Sequence, residues 1–380
     1  MGTQQQNLTP LEHMTASVSL QVCAVIDETL DARSLVLDIP PTLRERFRYK
    51  PGQFLSFRVP FAGKLLTRCY SMASSPLADA LPKVTVKRVD GGRVSNWMNE
   101  VQVGDWLEVL PPAGHFCLDP QADTEKPLVL FGGGSGITPV FSILKSVLQG
   151  SRRPIKLIYA NRDEASVIFK DELCRLIKAH PDQLHVVHVL DSVQGFLTDH
   201  QVRHLLHGSA GGDYFICGPG PFMDTVERTL LALGEAAERI HVERFVSPPD
   251  PDELLAEETL ARAAAMDSQC EALIVELDGQ QHEIACKPGD TLLQSCKAAG
   301  LDVPSSCEEG FCGACMCVVK EGEVQLARND VLTPKELAEG WTLACQSRPT
   351  GAKVRPHLMR TRCVQFQNIS RHNSRRSESR

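Results

Sequence analysis

The sequence lacks any unbroken apolar run of the length a membrane span requires, and its opening, MGTQQQNLTPLEHMT, lacks the basic, apolar and small-residue pieces of an export signal. The expectation is a cytoplasmic chain with no membrane span. Positive charge is not in excess either. Forty Lys and Arg stand against 47 Asp and Glu, and the net charge of -7 argues against general nucleic-acid binding. Arginine dominates only in the last ten residues, RHNSRRSESR, which read as the end of a disordered, solvated basic tail. No internal repeat is visible. Cysteine, by contrast, is plentiful. Fourteen thiols in a reducing compartment are poor candidates for disulfide staples, so clustered ones point to metal and single ones to packing. Cys23, Cys69, Cys174 and Cys286 accordingly read as buried small residues.

With 380 residues, 42% hydrophobic and 23% charged, the chain has room for two or three globular domains. Residues 17–122 carry short alternating apolar runs, such as VSLQVCAVI, QFLSFRV and KVTVKRV, divided by Gly, Pro and Asp. That pattern predicts an antiparallel β-barrel or sandwich. Over 123–246 the rhythm becomes strand then helix, as in PLVLF before TPVFSILKSVL and DYFIC before PFMDTVERTLLAL, which predicts an α/β domain on a parallel sheet. Residues 247–269 open with three prolines and turn acidic and alanine-rich, the composition of a linker. Residues 270–357 offer a hairpin, a short helix and a cysteine cluster, and 358–380 form the tail.

The cluster lies in SSCEEGFCGACMC. Cys307, Cys312 and Cys315 follow C-x4-C-x2-C, with Cys345 downstream in TLACQS, and this is the plant-type spacing for a [2Fe-2S] cluster. Four soft thiolates stabilise two ferric ions, and small residues let backbone amides approach the sulfurs. A structural zinc site would instead show two C-x2-C pairs. Cys296, Cys317 and Cys363 read as packing residues. In TPKEL, Thr333 is placed to cap a helix whose first position is Pro334.

A cluster of this kind takes one electron at a time, so single electrons must come from upstream. VLFGGGSGITPVFSIL reads as a strand, a glycine-rich turn and a helix. Gly132, Gly133, Gly134 and Gly136 permit the turn, Thr138 can hydrogen-bond at the helix start, and Pro139 suits its first turn. Backbone amides and a helix start are thereby offered to a pyrophosphate, although the turn differs from G-x-G-x-x-G. Plain close packing is the competing reading. A second turn, Cys217-Gly218-Pro219, ends another strand at the same carboxyl edge, where open α/β sheets bind ligands.

Together these segments resemble the ferredoxin-NADP reductase superfamily. The resemblance implies that the glycine turn holds the dinucleotide and that the Cys-Gly-Pro turn lies beside the nicotinamide. It also identifies RCYSMASSP as similar to the R-x-Y-[ST] flavin motif, which implies Arg68 at the FAD phosphates, Tyr70 over the isoalloxazine or ribityl region and Ser71 at the ring edge. KRVDGGRVSNWM resembles a second flavin segment, with Val94 and Ser95 at a helix start. IHVERF implies Glu243 and Phe245 at the flavin's edge. The last domain resembles plant-type ferredoxin, which implies a β-grasp (α+β) fold. The domain order is similar to that of the reductase components of multicomponent bacterial oxygenases. YANRDEASVIFKDEL, LDSVQGFLT and FICGPGPFM look most like the 3-ketosteroid 9α-hydroxylase reductases, with the phenylacetyl-CoA epoxidase reductases near them.

The implied function is electron transfer from NAD(P)H through FAD and a [2Fe-2S] cluster to a partner oxygenase of Rieske type, with no catalytic acid, base or nucleophile of the chain's own. A 2'-phosphate would need cations such as Arg162 and Lys170, whereas Asp191 in VLDSVQG suits a ribose hydroxyl, so NADH is favoured over NADPH. Two rivals remain: a self-contained flavin oxidoreductase with its own small substrate, and a ferredoxin on a scaffold that has lost its cofactors. A monomer is expected, and the acid excess around the cluster suggests a docking face for a basic partner.

Overall fold

Alternation of apolar and polar residues settles the first sheet. In the computed structural model, which describes residues 17–61, 63–120, 125–246, 270, 272–350 and 353–358, strands β1 (Val18–Thr29), β2 (Ala32–Asp38), β3 (Phe54–Phe61), β4 (Lys64–Ser71), β5 (Lys83–Lys87) and β6 (Trp106–Ala113) form one antiparallel sheet. Its order is β4-β3-β6-β1-β2-β5. A bridge between Met72 and Val84 brings the two outer strands together and curls the sheet into a barrel. Leu20, Val22, Leu35, Leu37, Leu55, Phe57, Val84 and Val109 turn inward and fill it. A short helix, α1 (Arg93–Met98), follows β5.

The second sheet is parallel throughout, in the order β11-β10-β7-β8-β9, from β7 (Leu128–Gly133), β8 (Ile155–Asn161), β9 (Leu184–Leu190), β10 (Asp213–Cys217) and β11 (Ile240–Glu243). Every residue of β7 is buried, as a central parallel strand covered on both faces must be. α2 (Ile137–Gly150) and α3 (Lys170–Ala179) cover one face; α5 (Asp199–Leu205) and α6 (Gly220–Ala232) cover the other, with the single-turn α4 (Asp191–Gln194) after β9. The chain leaves β7 toward β8 and β9, then returns to place β10 on the opposite side. The strand order therefore reverses between β7 and β10, where a crevice opens at the carboxyl edge.

α2 is buried almost all round because it is shared with the barrel. Its Ser142 Oγ donates to the Ser74 carbonyl at 2.6 Å, and one turn on Ser146 Oγ donates to Ser75 Oγ at 2.7 Å. Lys145 lies between them and reaches Asp79 of a barrel loop at 2.7 Å and Glu172 of α3 at 3.0 Å.

The third unit is a mixed sheet, β13-β12-β18-β14-β16, built from β12 (Ala272–Leu277), β13 (Gln280–Ala285), β14 (Met316–Glu321), β16 (Trp341–Leu343) and β18 (Lys353–Leu358). β15 (Val324–Leu326) and β17 (Ser347–Pro349) pair beside it. α7 (Leu292–Ala298) packs Leu292, Leu293 and Cys296 into its core, and α8 (Pro334–Ala338) follows the expected Thr333 cap, closed as a capping box with Glu336. This is the α+β architecture expected of the ferredoxin-like segment.

The single cysteines correct the sequence reading. Cys296 and Cys317 are fully buried, as expected. Cys23 and Cys174 are exposed, because each points off the outer face of its element. Cys286 is no lone packing residue: it forms a disulfide with Cys270, their Cα atoms 5.8 Å apart, since Ala272 pairs with Ala285 and the two cysteines flank that open end of the β12–β13 hairpin. Cys69 is half-buried, its Sγ 3.1 Å from Ser56 Oγ. The expected linker over 247–269, Cys363, and all of the tail beyond Leu358 lie outside the described residues. Among the described residues no helix is long and apolar enough to cross a membrane.

Candidate functional site

All three units contribute to one cavity of about 480 Å³, the third through its cysteine loop. β4 supplies Arg68, Tyr70 and Ser71, held in register by pairing with Phe57, Leu55 and Phe54 of β3. The Tyr70 ring tilts against Phe57 with centroids 5.9 Å apart, and burial pushes its phenol well above the usual range. Arg68 is half-buried, which lowers its guanidinium pKa, and its Nη1 donates to the Thr67 carbonyl at 2.7 Å. Val94 and Ser95, in the first turn of α1, are buried beneath the cavity, and Ser95 Oγ accepts from the Val89 amide at 3.1 Å.

The carboxyl edge of the parallel sheet closes another side. Cys217 pairs with Gly132 on one flank and Glu243 on the other, so three strand ends stand in a row. Glu243, Phe245, Thr138 and Ser135 line the cavity. Thr138 Oγ1 donates to the Ser135 carbonyl at 3.0 Å, which fastens the turn to the helix start. Desolvation pushes the Glu243 carboxyl up to about 8, and burial together with Glu243 pushes the Cys217 thiol up.

Gly132, Gly133, Gly134, Gly136, Pro139, Cys217, Gly218 and Pro219 gather at this edge without lining the cavity itself. Their glycines do two different things. A Cβ on Gly136 would lie 2.2 Å from the Cys217 carbonyl oxygen, so this glycine lets the two turns touch backbone to backbone. Gly134 has φ +52 and open space around it, leaving the turn bare toward solvent. Arg162 stands apart at the end of β8, exposed, with Nε 3.1 Å from Asp163 Oδ2 and a second nitrogen donating to Ser166 Oγ at 3.0 Å. Beside it Asp191 opens α4.

The cysteine loop forms the third side. Cys307, Cys312, Cys315 and Cys345 come together as two pairs. The Cys307 amide donates to Cys312 Sγ and the Cys345 amide to Cys315 Sγ, each at 3.5 Å. The Glu309 amide donates to Cys307 Sγ at 3.4 Å. Among the described residues no three His, Cys, Asp or Glu side chains are arranged around a single ion. Two thiol pairs edged by backbone amides fit a binuclear group, two sulfurs to each iron.

Sequence reasoning missed several members of the wall. Phe311 and Cys312 of the cysteine loop line the cavity with Phe54, Leu66, Lys87 and Arg93. Glu309 leans on β4: desolvation raises its pKa, while Arg68 and a hydrogen bond from Thr67 lower it. Arg93 stands in the quoted KRVDGGRVSNWM segment and could have been read from it; Phe311 and Glu309 depend on docking between units, which spacing does not encode. A cavity with cationic and aromatic walls fits a flavin dinucleotide, whose phosphates take guanidinium and whose ring takes aromatic contacts.

Comparison with known proteins agrees with this division. Residues 19–117 match the oxidoreductase FAD-binding domain family, 130–228 the oxidoreductase NAD-binding domain family and 275–350 the 2Fe-2S iron-sulfur cluster binding domain family. The chain is 46% identical over 346 residues to the ferredoxin reductase component of 3-ketosteroid-9-alpha-monooxygenase from Rhodococcus rhodochrous, covering 89% of this chain and 95% of that one. It is 34% identical to a component of the 1,2-phenylacetyl-CoA epoxidase from Escherichia coli K12, covering 90% and 97%. Among solved structures, an intact type IV self-sufficient cytochrome P450 monooxygenase aligns with TM-score 0.58 and 25% identity over 90% of this chain and 41% of that one. Phthalate dioxygenase reductase shares the fold, with TM-score 0.55 and 24% identity over 92% and 100%. The chain belongs to the family of oxygenase reductase components that join FAD-binding, NAD-binding and [2Fe-2S] domains, and it transfers electrons from NAD(P)H to a partner oxygenase.

Proposed function

We propose that Arg68, Tyr70, Ser71, Val94, Ser95, Glu243 and Phe245 hold FAD, that the turns at Gly132–Gly136 and Cys217–Pro219 hold the pyridine nucleotide, and that Cys307, Cys312, Cys315 and Cys345 hold the cluster. The observation that carries this reading is the single cavity walled by all three units, with Arg68 and Tyr70 in one wall and Cys312 in another. When bound, NAD(P)H supplies a hydride, FAD accepts it and releases electrons singly, and the cluster relays them one at a time. The chain's own work is geometric. Arg68 fixes phosphate, Tyr70 presents an aromatic face, the glycine turn keeps side chains away from the dinucleotide, and the cysteine loop brings Cys312 into the wall of the flavin cavity.

NADH is the favoured donor. Arg162 is already engaged by Asp163 and Ser166, and Asp191 beside it would repel a 2'-phosphate. The acceptor is an oxygenase acting on a 3-ketosteroid, supported by the higher identity to the steroid reductase than to the epoxidase component across nearly the whole chain. The reductase acts as a monomer in the cytoplasm, where the Cys270–Cys286 bond would face a reducing thiol pool.

Anaerobic titration with NADH and, separately, NADPH tests the relay. Flavin bleaching together with a rhombic reduced [2Fe-2S] paramagnetic signal is expected, at lower NADH than NADPH. Bleaching without that signal would remove the cluster assignment. Coupling to purified steroid oxygenase and epoxidase components tests the partner; support of phenylacetyl-CoA epoxidation alone would overturn the steroid reading.

A further inference from the structure

Cys345 is followed by Gln346, which has no part in the ligand reading, yet its side chain crosses to the other end of the cysteine cluster. Gln346 Nε2 donates to the Glu308 carbonyl at 3.1 Å. Only one sense is open to that bond, because a backbone carbonyl cannot donate. The Glu308 carbonyl and the Glu309 amide belong to one trans peptide group, whose two ends point opposite ways. Its far end is the amide that donates to Cys307 Sγ at 3.4 Å. A single rigid plane therefore lies between the Gln346 side chain and a cysteine sulfur. Three features hold it there. Glu308 has φ +61, a left-handed conformation that a non-glycine residue keeps only when its surroundings fix it. Its carboxylate pairs with Lys297 of α7 at 2.5 Å. Gly310 leaves the space over which Gln346 reaches, since a Cβ there would lie 2.9 Å from the Gln346 Cγ. The second thiol pair repeats the arrangement with backbone alone: the Leu293 amide donates to the Ala344 carbonyl at 2.9 Å, and the Cys345 amide of that same peptide donates to Cys315 Sγ at 3.5 Å.

We propose that Gln346 is a positioning residue of the electron relay: through the peptide between Glu308 and Glu309 it aims and strengthens the N–H donor on Cys307 Sγ, and so raises the reduction potential of the cluster held there. This rests on the reading of Cys307 as a cluster ligand. A donor on the carbonyl polarises the peptide, which makes its N–H the stronger donor. A hydrogen bond to a ligand sulfur favours the more negative, reduced cluster and therefore raises its potential. Glu308 is exposed, so water is the competitor for its carbonyl. A water would satisfy the acceptor without tying the peptide to the residue after Cys345. At one thiol pair the carbonyl donor is the Leu293 backbone, whatever the residue type; at the other it is a side chain, so there the potential depends on residue type.

The test uses the full-length protein with FAD and cluster bound. Redox titration followed by electron paramagnetic resonance gives the cluster midpoint for wild type, for Gln346→Met, which keeps the length of the side chain without its donor, and for Gln346→Asn, which keeps the amide but shortens its reach. Hyperfine spectroscopy after exchange into deuterium oxide reads the exchangeable amide hydrogens coupled to the cluster. Gln346→Met is expected to lower the midpoint, moving electron sharing about fivefold toward the flavin, the size of one ordinary hydrogen bond, and to weaken that coupling. Gln346→Asn moves both in the same sense, and it decides the matter should Gln346→Met fail to assemble. A midpoint or a coupling left unchanged in the variants that assemble would overturn the proposal. Failure of both variants to assemble would also overturn it, by assigning Gln346 to building the cluster site instead. A wild-type protein with no reduced-cluster signal would overturn the ligand reading beneath it.

Discussion

Glu243 illustrates what enclosure does to one carboxyl. Its pKa is pushed from the ordinary carboxylate range up to about 8, so the folded protein keeps a proton that the unfolded chain has already released. The linkage sign follows: between about pH 4.5 and 8 the unfolded state binds fewer protons, and stability falls as pH rises. Glu243→Gln removes this slope. The melting temperatures of wild type and variant should coincide near pH 5 and separate by about pH 8, with the variant higher; parallel curves would refute the retained proton. Gly136 is constrained differently. Alanine there sets a methyl 2.2 Å from a backbone oxygen that cannot swing away, so Gly136→Ala should cost about 1–3 kcal/mol, read from the denaturant midpoint. The cysteine spacing was legible in the sequence because ligation chemistry is local to a loop. The rest of the cavity wall was not: Phe311 stands 241 positions from Tyr70, and no local signal links them.

Among the elements, α2 carries the junction between barrel and parallel sheet. Its apolar periodicity announced a helix, but not that two serines and a lysine on its barrel side would bind a second unit. Lys145 is 4% exposed at its side chain and bridges Asp79 and Glu172, while Lys83 of β5 reaches Glu172 at 3.2 Å. Removing one partner from a buried ion network leaves charge uncompensated, so Lys145→Met should destabilise the protein by about 3–5 kcal/mol, measured by denaturant unfolding. Asp79→Asn should cost less, because Lys145 keeps Glu172; equal losses would show that the three groups do not act as a network. The strand patterns were equally legible, since period-two and strand-helix rhythms are printed in the chain. The disulfide was missed although its signal was present: a hairpin with one cysteine at each foot places the two thiols opposite each other.

For the molecule as a whole, the order of units along the chain was readable, and their mutual arrangement was not. Composition marks where one rhythm stops; it carries no information about Ser56 meeting Ser306 or Glu309 meeting Arg68. That arrangement bears on how the protein is made. Phe311 and Cys312 form part of the cavity wall, so the third unit completes a cavity that the first two begin. A dinucleotide seated in a cavity with walls from all three units would favour their docked arrangement by mass action. Loss of flavin would then weaken the docking of the iron-sulfur unit, and flavin supply would bear on the survival of the neighbouring cluster.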